Sequence, residues 1–216
     1  MKIVRQPAKP IARSGIVNSA VGRLLVALSD RGIVLIQFLD GAWTDCAAAE
    51  AALSQHFQVT ENAAAVAVVG AEIRRFADGD LNALTMPVDL TLVSSPFRLR
   101  VLETLRGISP GTVISYQALA AAAGAPRASR AVGTTMAANP VPIYVPCHRV
   151  IRADGSIGNY GGGALVKLKL LRAEGVRIDS DIWVCADSGT GSDAIDGRVH
   201  FDRKLRDSPA PPRITE

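Results

Sequence analysis

Helix-breaking residues recur at short intervals between positions 95 and 146. Ser95-Pro96, Ser109-Pro110-Gly111, Gly124-Ala125-Pro126 and Asn139-Pro140 divide this stretch. Proline lacks an N–H and biases the residue before it away from helix, and glycine favours turns, so only short helices fit between the breaks. Phe97, Val101, Leu102 and Leu105 share one helical face. Ser115 is placed to cap a helix over 116–123, and a second helix follows over 127–138. Two short helices across a glycine-containing turn outline a helix-turn-helix. Asn139-Pro140 stops the second, and an apolar, partly β-branched run follows over 141–145. Asp154-Gly155-Ser156 reads as a turn, residues 158–163 as a flexible loop, and 164–174 as a last amphipathic helix ended by Gly175.

The first part of the chain has a different rhythm. Strand-like runs cover 11–17, 24–28 and 33–38, and Asp30-Arg31-Gly32 joins the last two as a hairpin. Residues 44–56 have helical spacing, 63–69 form an apolar, β-branched run that packs inside, and 72–76 form a short helix. The chain therefore reads as α+β: a small sheet-and-helix domain over 1–94, then a mainly helical helix-turn-helix domain over 95–180. An extension over 181–216 completes it. There, residues 188–193 and 208–212 read as linker or tail, while Ile182-Trp183-Val184 and Val199-His200-Phe201 are candidate anchors.

Charge is distributed unevenly. Residues 96–180 carry 11 Lys and Arg against 4 Asp and Glu, a net +7, although the whole chain is only +4. A basic stretch around a helix-turn-helix suits a polyanion such as nucleic acid. Three cysteines, Cys46, Cys147 and Cys185, cannot make a disulfide framework and indicate a reducing compartment. No uninterrupted apolar span or signal-peptide core is present, so the expectation is a cytoplasmic protein with no membrane partner. Cys46 and His56 have no companion ligands, and neither a metal nor another cofactor is expected.

The chemistry centres on Pro146-Cys147-His148-Arg149. A cysteine is nucleophilic only as thiolate, which a nearby histidine or positive field favours. An inert core cysteine is the alternative that these residues alone leave open. Neighbours on a strand face opposite ways, so contact between Cys147 and His148 would need a turn or a bridging water.

The run from Asn139-Pro140 through Pro146-Cys147-His148-Arg149-Val150, followed by Gly158-Asn159-Tyr160, resembles the active-site signature of the O6-alkylguanine-DNA alkyltransferases. Pro96-Phe97, Ser115-Tyr116-Gln117, Arg130-Ala131-Val132-Gly133 and Lys167 through Glu174-Gly175 extend the likeness over about 90–180. The resemblance implies a single-turnover repair protein that flips a nucleotide out of double-stranded DNA and takes the O6-alkyl group onto Cys147. It implies that His148, oriented by Glu174, removes the thiol proton through a water, and that Asn139 ties the backbone near Cys147. Tyr116 would stabilise the leaving guanine. Arg130 would fill the gap in the duplex, with Ser115, Gln117, Arg127 and Ala128 beside the DNA. Val150, Tyr160, Gly161 and Lys167 would line the base pocket. A monomer is expected, able to bind DNA cooperatively.

Gly161 departs from the pattern, since many relatives carry serine there; it keeps a backbone N–H and loses a hydroxyl. Three other classes of function compete: a lesion binder without chemistry, a helix-turn-helix transcription factor, and a cysteine hydrolase. Cys147 argues against the first. The chain is too short for the metal-bound regulatory modules of the second, and no oxyanion hole supports the third.

Overall fold

Glycines at positions 22 and 32 fold the first strands back on each other. The computed structural model describes residues 8–40, 46–179 and 183–184. β1 (Ile11–Ser19), β2 (Gly22–Ser29) and β3 (Gly32–Phe38) form an antiparallel meander, with Ile16 opposite Leu25 and Val26 opposite Ile36. Gly32 has φ +133°, and a Cβ there would lie 2.2 Å from the Pro87 carbonyl oxygen, so only glycine fits this turn. After α1 (Cys46–His56), the edge strand β4 (Gln58–Glu61) pairs in parallel with β1, giving the order β3-β2-β1-β4. β4 is exposed throughout and has no apolar alternation, so its sequence carries no strand pattern.

The expected buried run over 63–69 and short helix over 72–76 are one helix, α2 (Ala63–Ala77). Its N-cap Asn62 accepts a hydrogen bond from the Ala65 N–H at 2.9 Å. Val66, Val69, Ile73 and Phe76 recur at helical spacing and face the sheet, all fully buried. That face and the alanines of the first turn outweigh the β-preference of the valines.

The second half follows the breaks. Ser95 caps α3 (Pro96–Arg106), Ser115 caps α4 (Tyr116–Ala122), and α5 (Ser129–Ala137) completes the helix-turn-helix. Between α3 and α4, β5 (Ile114–Ser115) pairs in parallel with β6 (Val150–Ile151). The run 141–145 is a turn: the Val145 N–H donates to Val141 O at 2.9 Å, and Ile143 has φ 78°. α6 (Ala164–Ala173) ends at Glu174 and Gly175.

One cluster of buried side chains runs from Val17, Val26 and Ile36 through α2 to Val101, Leu105, Leu119, Val132, Val145, Cys147 and Leu170. Each fully buried aliphatic or Phe side chain contributes about 1.5–3 kcal/mol. The sheet is thus a wall on which the helical half is packed. Its other face packs Leu25, Val34 and Leu35 against Leu53 and Phe57. Trp183–Val184 pairs with Ile178–Asp179. Ile182, Cys185, residues 188–193, Val199-His200-Phe201 and 208–212 lie outside the described residues. Among those described, no helix is long and apolar enough to cross a membrane.

Candidate active site

The β5–β6 pairing joins two segments that are distant in sequence. β5 leads directly into Tyr116, and β6 follows directly on Cys147–Arg149, a single 3-10 turn. Asn139 fastens the incoming chain: its Nδ2 donates to Val145 O at 2.9 Å and to Cys147 Sγ at 3.2 Å, while its Oδ1 accepts from Val141 N at 3.1 Å. Cys147 is buried within the protein yet lines a cavity.

Behind the cysteine, His148 is fully buried, with Nε2 2.8 Å from Glu174 Oε1. Glu174 stands at the C-terminal end of α6, where the helix dipole disfavours a carboxylate. Arg149 compensates: Nε donates to both carboxylate oxygens at 3.0 Å and Nη2 to Oε1 at 2.7 Å. The Gly111 N–H adds a bond to Oε2 at 3.1 Å. Burial pushes the Glu174 carboxyl up, but the bonds and charges of His148 and Arg149 outweigh it and hold the group down to about 2. Glu174 is therefore ionised and can only accept, so His148 Nε2 carries the proton. Burial, against the pull of Glu174, keeps the His148 pKa below its ordinary value, leaving the ring neutral at pH 7. Its Nδ1 is then a bare acceptor, and that atom has no hydrogen-bond partner among the described residues.

The thiol departs from expectation. Burial raises the Cys147 pKa, only partly opposed by the Asn139 hydrogen bond and the Lys167 charge. A three-residue 3-10 turn aligns too few peptide dipoles to supply a positive field at the sulfur. The resting state is a neutral thiol next in sequence to a neutral imidazole.

The cavity has a volume of about 440 Å³ and is lined by Tyr116, Ser129, Arg130, Gly133, Met136, Ala137, Cys147, Arg152, Asn159, Tyr160 and Gly161. Arg130 is exposed in the first turn of α5, at the rim. Gly133 lies beside Tyr116, where a Cβ would make an ordinary contact at 4.0 Å from Tyr116 Cε1. Burial first and the nearby Cys147 second raise the Tyr116 pKa, so its hydroxyl stays a donor; Arg152 opposes this. Tyr160 packs edge-on against Phe38, at 5.6 Å between ring centroids, and against His148, at 6.4 Å.

Several expected site residues stand elsewhere. Lys167 and Val150 do not line the cavity: Lys167 is fully buried, and its Nζ donates to Val150 O at 2.6 Å and to Ile157 O. This places the ammonium behind the wall, fixing two carbonyls, and burial lowers its pKa to about 8. Ser115 is buried, with its Oγ committed to the Ala118 N–H at 3.1 Å. Gln117 and Arg127 are exposed outside the cavity lining, and Ala128 is the residue from which α5 starts. The structure adds Arg149, Arg152, Asn159 and Met136. The clue to Arg149 was its place beside His148: a buried Glu at a helix C-terminus needs a second cation. Arg152 and Met136 carry no such signal. Among the described residues no group of three metal-ligating side chains forms.

A family model described as 6-O-methylguanine DNA methyltransferase, DNA binding domain, matches residues 96–176. The bifunctional transcriptional activator/DNA repair enzyme Ada of Escherichia coli is 39% identical over 166 residues, covering 75% of this chain and 45% of that protein. Human methylated-DNA--protein-cysteine methyltransferase is 57% identical over 76 residues, 35% of this chain and 37% of that protein. The chain thus spans less than half the length of these curated relatives. Among solved structures, Mycobacterium tuberculosis OGT in complex with DNA superposes with a TM-score of 0.64 at 30% identity, covering 76% of this chain and 93% of that one. The O6-methylguanine-DNA methyltransferase of Pyrococcus kodakaraensis gives 0.56 at 26% identity, covering 76% and 99%. With its signature cysteine on the cavity wall and that likeness running through both halves of the fold, the chain belongs to the O6-alkylguanine-DNA alkyltransferase family.

Proposed function

We propose that the protein repairs O6-alkylguanine in double-stranded DNA by moving the alkyl group, once and irreversibly, to Cys147. The observation that carries this reading is the bare Nδ1 of His148, backed by an ionised Glu174, one residue from a thiol on the wall of a base-sized cavity. The thiol proton passes through a bridging water to Nδ1, and Glu174 stabilises the imidazolium. A sulfur electron pair attacks the alkyl carbon, an S–C bond forms and the C–O6 bond breaks. The departing pair stays on guanine, whose negative charge the Tyr116 hydroxyl meets as hydrogen-bond or proton donor. No second cysteine lines the cavity among the described residues, and a thioether offers water or a neutral hydroxyl no good leaving group, so the S–C bond persists.

The base must leave the duplex to reach Cys147. Arg130, at the cavity rim on α5, takes its place in the stack, and the net positive charge of 96–180 holds the DNA backbone. The DNA complex of the mycobacterial relative supports this partner. In this reading residues 1–94 support the site, 95–180 bind DNA and accept the alkyl group, and 181–216 have no part in catalysis. The protein works as a monomer in the cytoplasm, with cooperative binding along DNA.

Intact-mass measurement after mixing with excess O6-methylguanine duplex tests this. One added methyl, about 14 Da, is expected per chain, mapped to Cys147 and absent in Cys147→Ser. Continued turnover without modification of Cys147 would overturn the proposal.

A further inference from the structure

We infer that Glu72 and Tyr144 form a latch through which the sheet-and-helix half positions the thiol of Cys147. The inference rests on Cys147 as the alkyl acceptor, but neither latch residue lines the cavity.

Glu72 is a buried carboxylate in the middle of α2. Its Oε2 accepts from Tyr144 OH at 2.6 Å, Thr85 N at 3.0 Å and Met86 N at 3.2 Å, and its Oε1 accepts from Thr85 Oγ1 at 2.5 Å. A buried carboxylate so fully satisfied is a fixed anchor. The turn that it holds is strained. Ile143, directly before Tyr144, has φ 78°, a region that a β-branched residue enters only when its surroundings force it. The same turn is pinned a second time, by the Ile36 N–H of β3 donating to Pro140 O at 2.7 Å. Both pins come from the sheet-and-helix half.

What the pins hold is next to the thiol. Val145 follows Tyr144, and its carbonyl receives both Asn139 Nδ2 at 2.9 Å and Cys147 N at 2.8 Å. The same Asn139 Nδ2 reaches Cys147 Sγ at 3.2 Å. Releasing Tyr144 lets Ile143 relax toward negative φ, moves the Val145 carbonyl and opens the Asn139 fork. Cys147 then loses the hydrogen bond that favours its thiolate. Glu72 and Tyr144 are thus positioning residues acting through Asn139.

The full-length Tyr144→Phe variant tests this, with the rate of Cys147 alkylation by iodoacetamide followed against pH. Peptide mapping isolates Cys147 from Cys46 and Cys185. The other titratable groups facing the sulfur, Lys167 on α6, Tyr116 on α4, and Tyr160 and His148 beside it, stay in place. Tyr144→Phe should move the thiol titration to higher pH and slow alkylation near pH 7 by about tenfold, the equivalent of one modest hydrogen bond. Reaction with free O6-benzylguanine should slow alike. In an Asn139→Ala background, Tyr144→Phe should add no further shift. An unmoved titration with native circular dichroism, or an undiminished shift without Asn139, overturns the latch. Should Tyr144→Phe fail to fold, Glu72→Gln serves instead: an upward shift supports the latch and none overturns it. If the wild type accepts no alkyl group from guanine while the iodoacetamide shift appears, the acceptor role fails and the latch stands.

Discussion

Glu174 Oε1 lies 2.8 Å from His148 Nε2 and 2.7 Å from Arg149 Nη2, so one buried carboxylate both fixes the imidazole tautomer and neutralises the guanidinium. Glu174→Gln removes that charge. Breaking a buried pair by deleting one partner costs about 3–5 kcal/mol, because Arg149 is left uncompensated. Urea unfolding of the variant should show a loss of that order.

The same group gives the protein an acid limit. The Glu174 pKa is about 2 in the fold against an ordinary 4.5, so its stabilisation is complete above pH 4.5 and is lost as pH falls toward 2. Unfolding free energies measured at pH 5 and pH 3 should differ less in Glu174→Gln than in the wild type.

Lys167 gives a slope of the same sign at high pH, for a different reason. Its charged form is penalised by burial, with a folded pKa of about 8 against 10.5. The unfolded chain binds more protons between those values, so this group makes stability rise with pH from 8 to 10.5. Subtracting the Lys167→Met stability curve from that of the wild type should leave this rising contribution; a flat difference would refute it.

His148→Ala removes the acceptor for the thiol proton. With a Cys147 pKa raised by burial, the variant must rely on the scarce thiolate present at neutral pH. Reaction with free O6-benzylguanine should fall by about 100-fold at pH 7 and recover as pH rises. Stopped-flow or quenched single-turnover assays across pH 6–10 would follow this.

Arg130 stands at the rim on α5 and makes no ion pair with the residues of the site. Arg130→Ala should slow repair of duplex O6-methylguanine at least tenfold while sparing the free base, which needs no extrusion. Equal losses on both substrates would remove its role in flipping.

The helical half was legible because its punctuation is local: Ser95, Ser115, the prolines and Gly175 end or cap helices through contacts a few residues away. The Cys147, His148, Glu174 and Asn139 set was legible through the family signature, and the structure brings it together. Three features were not. β4 exists because β1 offers an edge, which no pattern in Gln58–Glu61 announces. The Lys167 ammonium turned out to serve two carbonyls, since a side-chain type does not reveal which way it points from α6. The suppressed thiolate depends on burial within a core drawn from both halves of the chain.

Two adjacent glycines show where this pocket is free to vary. A Cβ at Gly162 would lie 2.8 Å from Phe38 Cε1, so any side chain there must displace the Phe38 ring. At Gly161 the nearest atom to a Cβ is 3.8 Å away, an ordinary contact, and the residue faces the cavity. Position 161 therefore has room for a side chain on the cavity wall, whereas position 162 gains one only by moving the Phe38 ring. An alkyltransferase tuned by selection or by design toward bulkier adducts would be expected to change the first and keep the second.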